Sequence, residues 1–94
     1  MLFLVIAKDG TDDGAPERRR NVREQHLTAA RLLADAGTLQ LGGAILDDEG
    51  NMIGSALLLE AADEAALHTL LEADVYASRG VWQSYDVHRF RRAI

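Results

Sequence analysis

The sequence predicts an α+β fold of order β-α-β-β-α-β in a single domain spanning residues 1–94. Three observations predict it: an uninterrupted apolar opening, two segments with apolar residues at spacings of three and four, and a polar turn joining two strand-like stretches. Ninety-four residues suit one hydrophobic core, because domains commonly hold about 100–150 residues and a second core would lack material. A hydrophobic fraction of 48% is that of a globular chain.

The run Leu2–Ala7 carries no charge, the pattern of a strand in mid-sheet with both faces buried. Asp9–Ala15 has no period and many turn formers, so it reads as a loop. Pro16 suits the first turn of a helix, and Glu17 complements the positive end of its dipole. Val22, His26, Ala29, Ala30, Leu33 and Ala36 then fall on one face, with the neighbouring arginines mostly on the others, and Gly37 ends the helix. Leu39–Leu46 reads as a second strand, interrupted by Gly42-Gly43. The turn Asp47–Asn51 leads into an antiparallel third strand, Met52–Glu60. Asp63 caps a second helix with Ala66, Leu67, Leu70, Leu71 and Asp74 on its inner side, and Ser78-Arg79-Gly80 turns the chain out of it. Val81–Phe90 alternates as a last strand, with Trp82, Ser84, Asp86, His88 and Phe90 on one face and Val81, Gln83, Tyr85 and Val87 on the other.

This order is the ferredoxin-like arrangement, an antiparallel sheet with two helices on one face. Its first and third strands are central, where the two most apolar runs, Leu2–Ala7 and Ala56–Leu59, fall. Helices cover only one face of such a sheet. The other face therefore calls for a second copy of the chain, packed sheet to sheet as a homodimer.

Ten Lys and Arg against fifteen Asp and Glu give a net charge of −5. That balance disfavours the phosphate contacts on which nucleic-acid binding depends. The arginines at 18, 19, 20 and 23, and those at 89, 91 and 92, read as solvated charge faces. Absence of cysteine excludes disulfides and thiolate metal sites and fits a reducing cytoplasm. The apolar opening is too short to span a membrane and lacks the basic flank of a signal peptide. With no HExxH spacing and three scattered histidines, no metal is expected; with no GxGxxG or GxxxxGK[ST] pattern, neither is a nucleotide cofactor.

His26 is the best candidate for chemistry, because its place on the apolar stripe turns an imidazole inward, where it needs a partner. One reading is a core histidine satisfied by a carbonyl or water. The other pairs it with Asp74, itself on an inner stripe and in need of a donor. A carboxylate on one ring nitrogen fixes the tautomer and raises the basicity of the other, as general acid–base catalysis requires. Tyr76 is close enough to Asp74 to line the same pocket, Gly42 and Gly43 mark a bulge or a close ligand approach, and Arg23 or Arg79 would hold a substrate anion. His68 lies off the inner stripe, and Ser55 follows Gly54 without a nucleophile-elbow context and reads as structural.

Together these residues resemble the YCII-related (YciI-like) family, small proteins of the dimeric α/β-barrel group. The resemblance spans nearly the whole chain. It rests on Phe3-Leu4-Val5-Ile6, Glu24-Gln25-His26-Leu27 with its arginine-rich approach, Gly42-Gly43, Gly50 with Gly54-Ser55, and Asp74-Val75-Tyr76 followed by Gly80-Val81-Trp82. In that family the helix histidine and the aspartate of an Asp-Pro-aromatic motif are regarded as a catalytic pair. The resemblance carries that role onto His26 and Asp74, with Val75 standing where the family usually has proline. It implies a cofactor-independent lyase, isomerase or dehydrohalogenase acting on a small carboxylated or cyclic metabolite. A non-catalytic ligand-binding or accessory module on the same dimeric scaffold is the alternative, since fold alone permits both.

Overall fold

The computed structural model describes residues 1–94. Strand β1 spans Leu2–Asp9, helix α1 Ala15–Asp35, β2 Leu39–Leu46, β3 Met52–Glu60, α2 Glu64–Ala73, α3 Val75–Ser78 and β4 Trp82–Phe90. The sheet order is β2-β3-β1-β4 with every neighbour antiparallel. The ferredoxin-like arrangement, with β1 and β3 central, is therefore present.

Alternation along β1 decides what each face buries. Phe3, Val5 and Ala7 point to the helices and pair with Leu59, Leu57 and Ser55 of β3. Leu67 and Leu71 of α2, Val22 of α1, Tyr76 of α3, and Val81 and Trp82 complete one cluster with them. Each fully buried side chain of this size contributes about 1.5–3 kcal/mol. Leu4 and Ile6 point to the other face and are only half-buried. No helix of the fold covers that face.

The turns follow local chemistry. Gly37 ends α1 with φ +81 while Thr38 N–H donates to the Leu33 carbonyl, a cap that side chains with a Cβ resist. The Asp63 side chain accepts from Ala66 N–H at 2.8 Å and starts α2. In the loop before α1, Arg18 holds both oxygens of Asp12 at 2.8 and 2.7 Å. That hydrogen bond lowers the Asp12 pKa to about 2, so the clasp stays charged at any neutral pH.

Three expectations need correction. The last strand does not alternate evenly: a register shift pairs Ser84 with Lys8 but Trp82 with Asp9, leaving Gln83 as the extra residue. A bulge reverses which face the following side chains occupy. Trp82 thus joins Tyr85 and Val87 on the helix side, away from His88 and Phe90. The inner stripe of α1 runs through Ala15, Arg19, Val22 and His26, whereas Ala29 and Ala36 are exposed. Beyond His26, Leu27, Ala30 and Ala34 line a gap between α1 and the edge strand β2 instead of extending the stripe into the core. Finally, Asp74 is not part of α2: its extended backbone, φ −72 and ψ 138, separates α2 from the extra helix α3.

Backbone proximity makes a contrast testable. A Cβ on Gly54 would lie 2.4 Å from the Ala7 carbonyl oxygen, whereas one on Gly43 would meet nothing within 4 Å. Gly54→Ala is expected to lower stability by about 1–3 kcal/mol, and Gly43→Ala to change it by less than about 0.5 kcal/mol, read from urea unfolding midpoints.

Candidate active site

The site grows from the first helix. Arg19, Val22 and His26 follow one another at spacings of three and four, which stacks them on one face. Arg19 is 5% exposed although arginine is almost never fully buried without a partner. Its partner is Asp9 at the end of β1: Nη1 donates to both carboxylate oxygens, at 2.9 and 2.8 Å. Nη2 donates to the Ser55 hydroxyl at 3.1 Å, and the guanidinium carbon lies 4.9 Å from the centre of the Tyr76 ring. The expected surface arginine is thus a buried one. Two signals could have found it: Asp9 directly behind an apolar strand, and Arg19 three residues before Val22 on the same stripe.

Two turns on, His26 is also buried. Its Nδ1 lies 2.8 and 2.9 Å from the two oxygens of Asp74, so Nδ1–H donates to the carboxylate, an arrangement that in a neutral imidazole makes Nε2 the acceptor. Asp74 Oδ1 also accepts from Tyr76 N–H at 2.9 Å, capping α3. That cap fixes the turn in which Val75 replaces the family's proline. Val75 occupies the first position of α3, where proline is suited because the N–H there has no helical partner and the ring pre-sets φ. The Tyr76 ring stacks on His26 at 3.8 Å, 5° from parallel, and Trp82 meets both rings edge-on. Burial raises the Tyr76 pKa, which keeps the phenol protonated at neutral pH.

These groups face a cavity of about 490 Å³ between α1 and the edge strand β2, within the usual range for small-molecule sites. Arg19, Arg23, His26 and Tyr76 line it, as do Gly42, Gly43 and Ser55. Asp74 does not; it lies behind the imidazole. Arg79 does not line it either and is exposed at the end of α3. Gly42 and Gly43 sit within a continuous ladder, and the bulge falls at Gln40 instead, between Leu39 and Leu41. Gly42 matters for space, since a Cβ there would press on Leu57 and Leu39 at 3.3 and 3.4 Å. His68 is half-buried near Tyr85 and Glu64, and His88 is exposed. No three His, Asp or Glu side chains gather as a metal-ligand set.

The YCII-related domain matches residues 1–91. The chain belongs to this family. Across 99% of its length, and 96% of the other chain, it is similar to 5-chloro-2-hydroxyhydroquinone dehydrochlorinase from Burkholderia phenoliruptrix, solved in complex with 2,5-dihydroxybenzoquinone, with 29% identity and a TM-score of 0.83. A NIPSNAP domain protein from Burkholderia xenovorans shares the fold at 16% identity and a TM-score of 0.50, again over 99% and 96% of the two chains. No curated protein matches the chain.

The Arg19–Asp9 pair, with side chains 7% and 5% exposed, carries its own test. Asp9→Ala leaves a buried cation unpaired and is expected to destabilise the YCII domain by about 3–5 kcal/mol, whereas Asp9→Leu with Arg19→Met recovers most of the loss. Urea denaturation of the two variants measures both.

Proposed function

We propose that this YCII-related protein is a small-molecule enzyme in which His26 Nε2 takes and returns a substrate proton while Asp74 holds the ring. One observation carries the reading: the imidazole whose Nδ1 is bound by a carboxylate at 2.8 Å also lines the cavity. A base near neutral pH needs this arrangement, with one nitrogen engaged and the other facing the substrate. The similar dehydrochlorinase, bound to a dihydroxyquinone, supports a cyclic, oxygen-rich substrate and a lyase or dehydrohalogenase type of reaction. Arg23 lies one turn from both Arg19 and His26, lines the cavity half-buried and has no ion-pair partner. It is the proposed holder of substrate negative charge. Asp74 acts through His26 and is a positioning residue.

Chloride release from 5-chloro-2-hydroxyhydroquinone, followed with purified protein, is the first assay. His26→Ala is expected to fold and to lose roughly 10²–10⁴-fold in kcat, and Asp74→Asn to lose part of that. A folded His26→Ala with full turnover would remove the mechanism. Ligand binding without turnover in the wild type would favour the accessory-module reading.

We also propose a homodimer through the open face of the sheet. Leu41 is 70% and Phe90 41% exposed beside half-buried Leu4, Ile6 and Ile45, an apolar surface that a second copy would cover. Light scattering at micromolar concentration should give about twice the 10.3 kDa chain mass, and Leu41→Asp should shift it toward the monomer. A monomeric wild type overturns the assembly.

A further inference from the structure

Ser55 stands in β3 at 2% exposure and lines the cavity. A serine hydroxyl offers two acceptor lone pairs and one donor hydrogen. Both acceptor directions are taken: Arg19 Nη2 donates to Oγ at 3.1 Å, and Trp82 Nε1 donates to it at 3.1 Å. Neither donor can reverse its role, because guanidinium and indole nitrogens accept nothing. The hydroxyl hydrogen is thereby left to a third partner, no protein acceptor for it is present, and a cation at one of the lone pairs strengthens it as a donor. Polar groups this deep are almost always paired.

We propose that the Ser55 hydroxyl forms an oxygen-recognition site for substrate, with Arg19 and Trp82 as positioning residues, selecting ring compounds that carry an acidic oxygen. This rests on the reading of His26 as the base. When Nε2 takes a proton from an atom conjugated with a carbonyl group, the electron pair left behind forms a new double bond toward the carbonyl carbon as the C=O π pair moves onto its oxygen. The Ser55 hydrogen bond stabilises the new charge without itself transferring a proton. Arg19 is neutralised by Asp9, so the site donates hydrogen bonds rather than net charge, and Arg23 supplies the charge.

The probes are 2,5-dihydroxybenzoquinone and 2,5-dimethoxybenzoquinone, which share a ring but differ in acidic oxygens, titrated into the intact protein by absorbance. Ser55→Ala is expected to weaken the dihydroxy compound roughly tenfold or more and the dimethoxy compound less than about threefold. Equal losses for both compounds, or no loss in a folded variant, overturn the assignment. If Ser55→Ala fails to fold, Trp82→Phe frees one lone pair and lets the hydroxyl turn away. It should then weaken only the dihydroxy compound, and an unchanged affinity overturns the assignment. Failure here with His26→Ala still inactive removes Ser55 alone. Selective loss in Ser55→Ala with an active His26→Ala keeps the oxygen site and removes the base. A wild type that binds neither probe overturns the assignment.

Discussion

The buried ion pair between Arg19 and Asp9 is the constraint on which the site depends. It joins the start of α1 to the end of β1 at a point where neither charge has water to fall back on. In such surroundings an unpaired partner is costly, so the geometry tolerates little drift. Once Arg19 is held, the helical repeat carries His26 two turns along the same face to Asp74. The second contact fixes the far side of α1 against the α2–α3 junction. Between the two anchors the helix cannot rotate.

Asp74 shows how one carboxylate can hold three elements at once. It ends α2, caps α3 through Tyr76 N–H and accepts from His26. A proline at the next position would pre-set the backbone; here the cap does so by hydrogen bonding. Tyr76, placed by that cap, lies flat against the imidazole and has the Arg19 guanidinium carbon 4.9 Å from its centre, so two side chains of α1 share one aromatic ring. The packing that buries Tyr76 is therefore also the packing that orients the site.

Beyond His26, α1 runs opposite β2. Its later residues face this edge strand, whose Gly42 brings no side chain to the gap, and the space that remains is the cavity. The two ends of the helix have different roles: the first half is core, the second half is wall. A single apolar stripe drawn along the whole helix does not anticipate this, because periodicity reports which residues share a face and not what lies opposite them.

The order of elements, the central places of β1 and β3, and the inward turn of His26 were all determined by the sequence, since each depends on local period, turn chemistry and which runs lack charge. The pairing that buries Arg19, the reversal of Trp82 by a bulge and the emergence of Ser55 as a shared acceptor were decided only by tertiary structure. A charge is buried only when a distant residue neutralises it, and Asp9 and Arg19 meet across a loop. A bulge comes from the mismatch of two strands, which neither strand carries alone. Ser55 draws its donors from α1 and β4, 36 and 27 residues away, and no spacing within β3 could announce them.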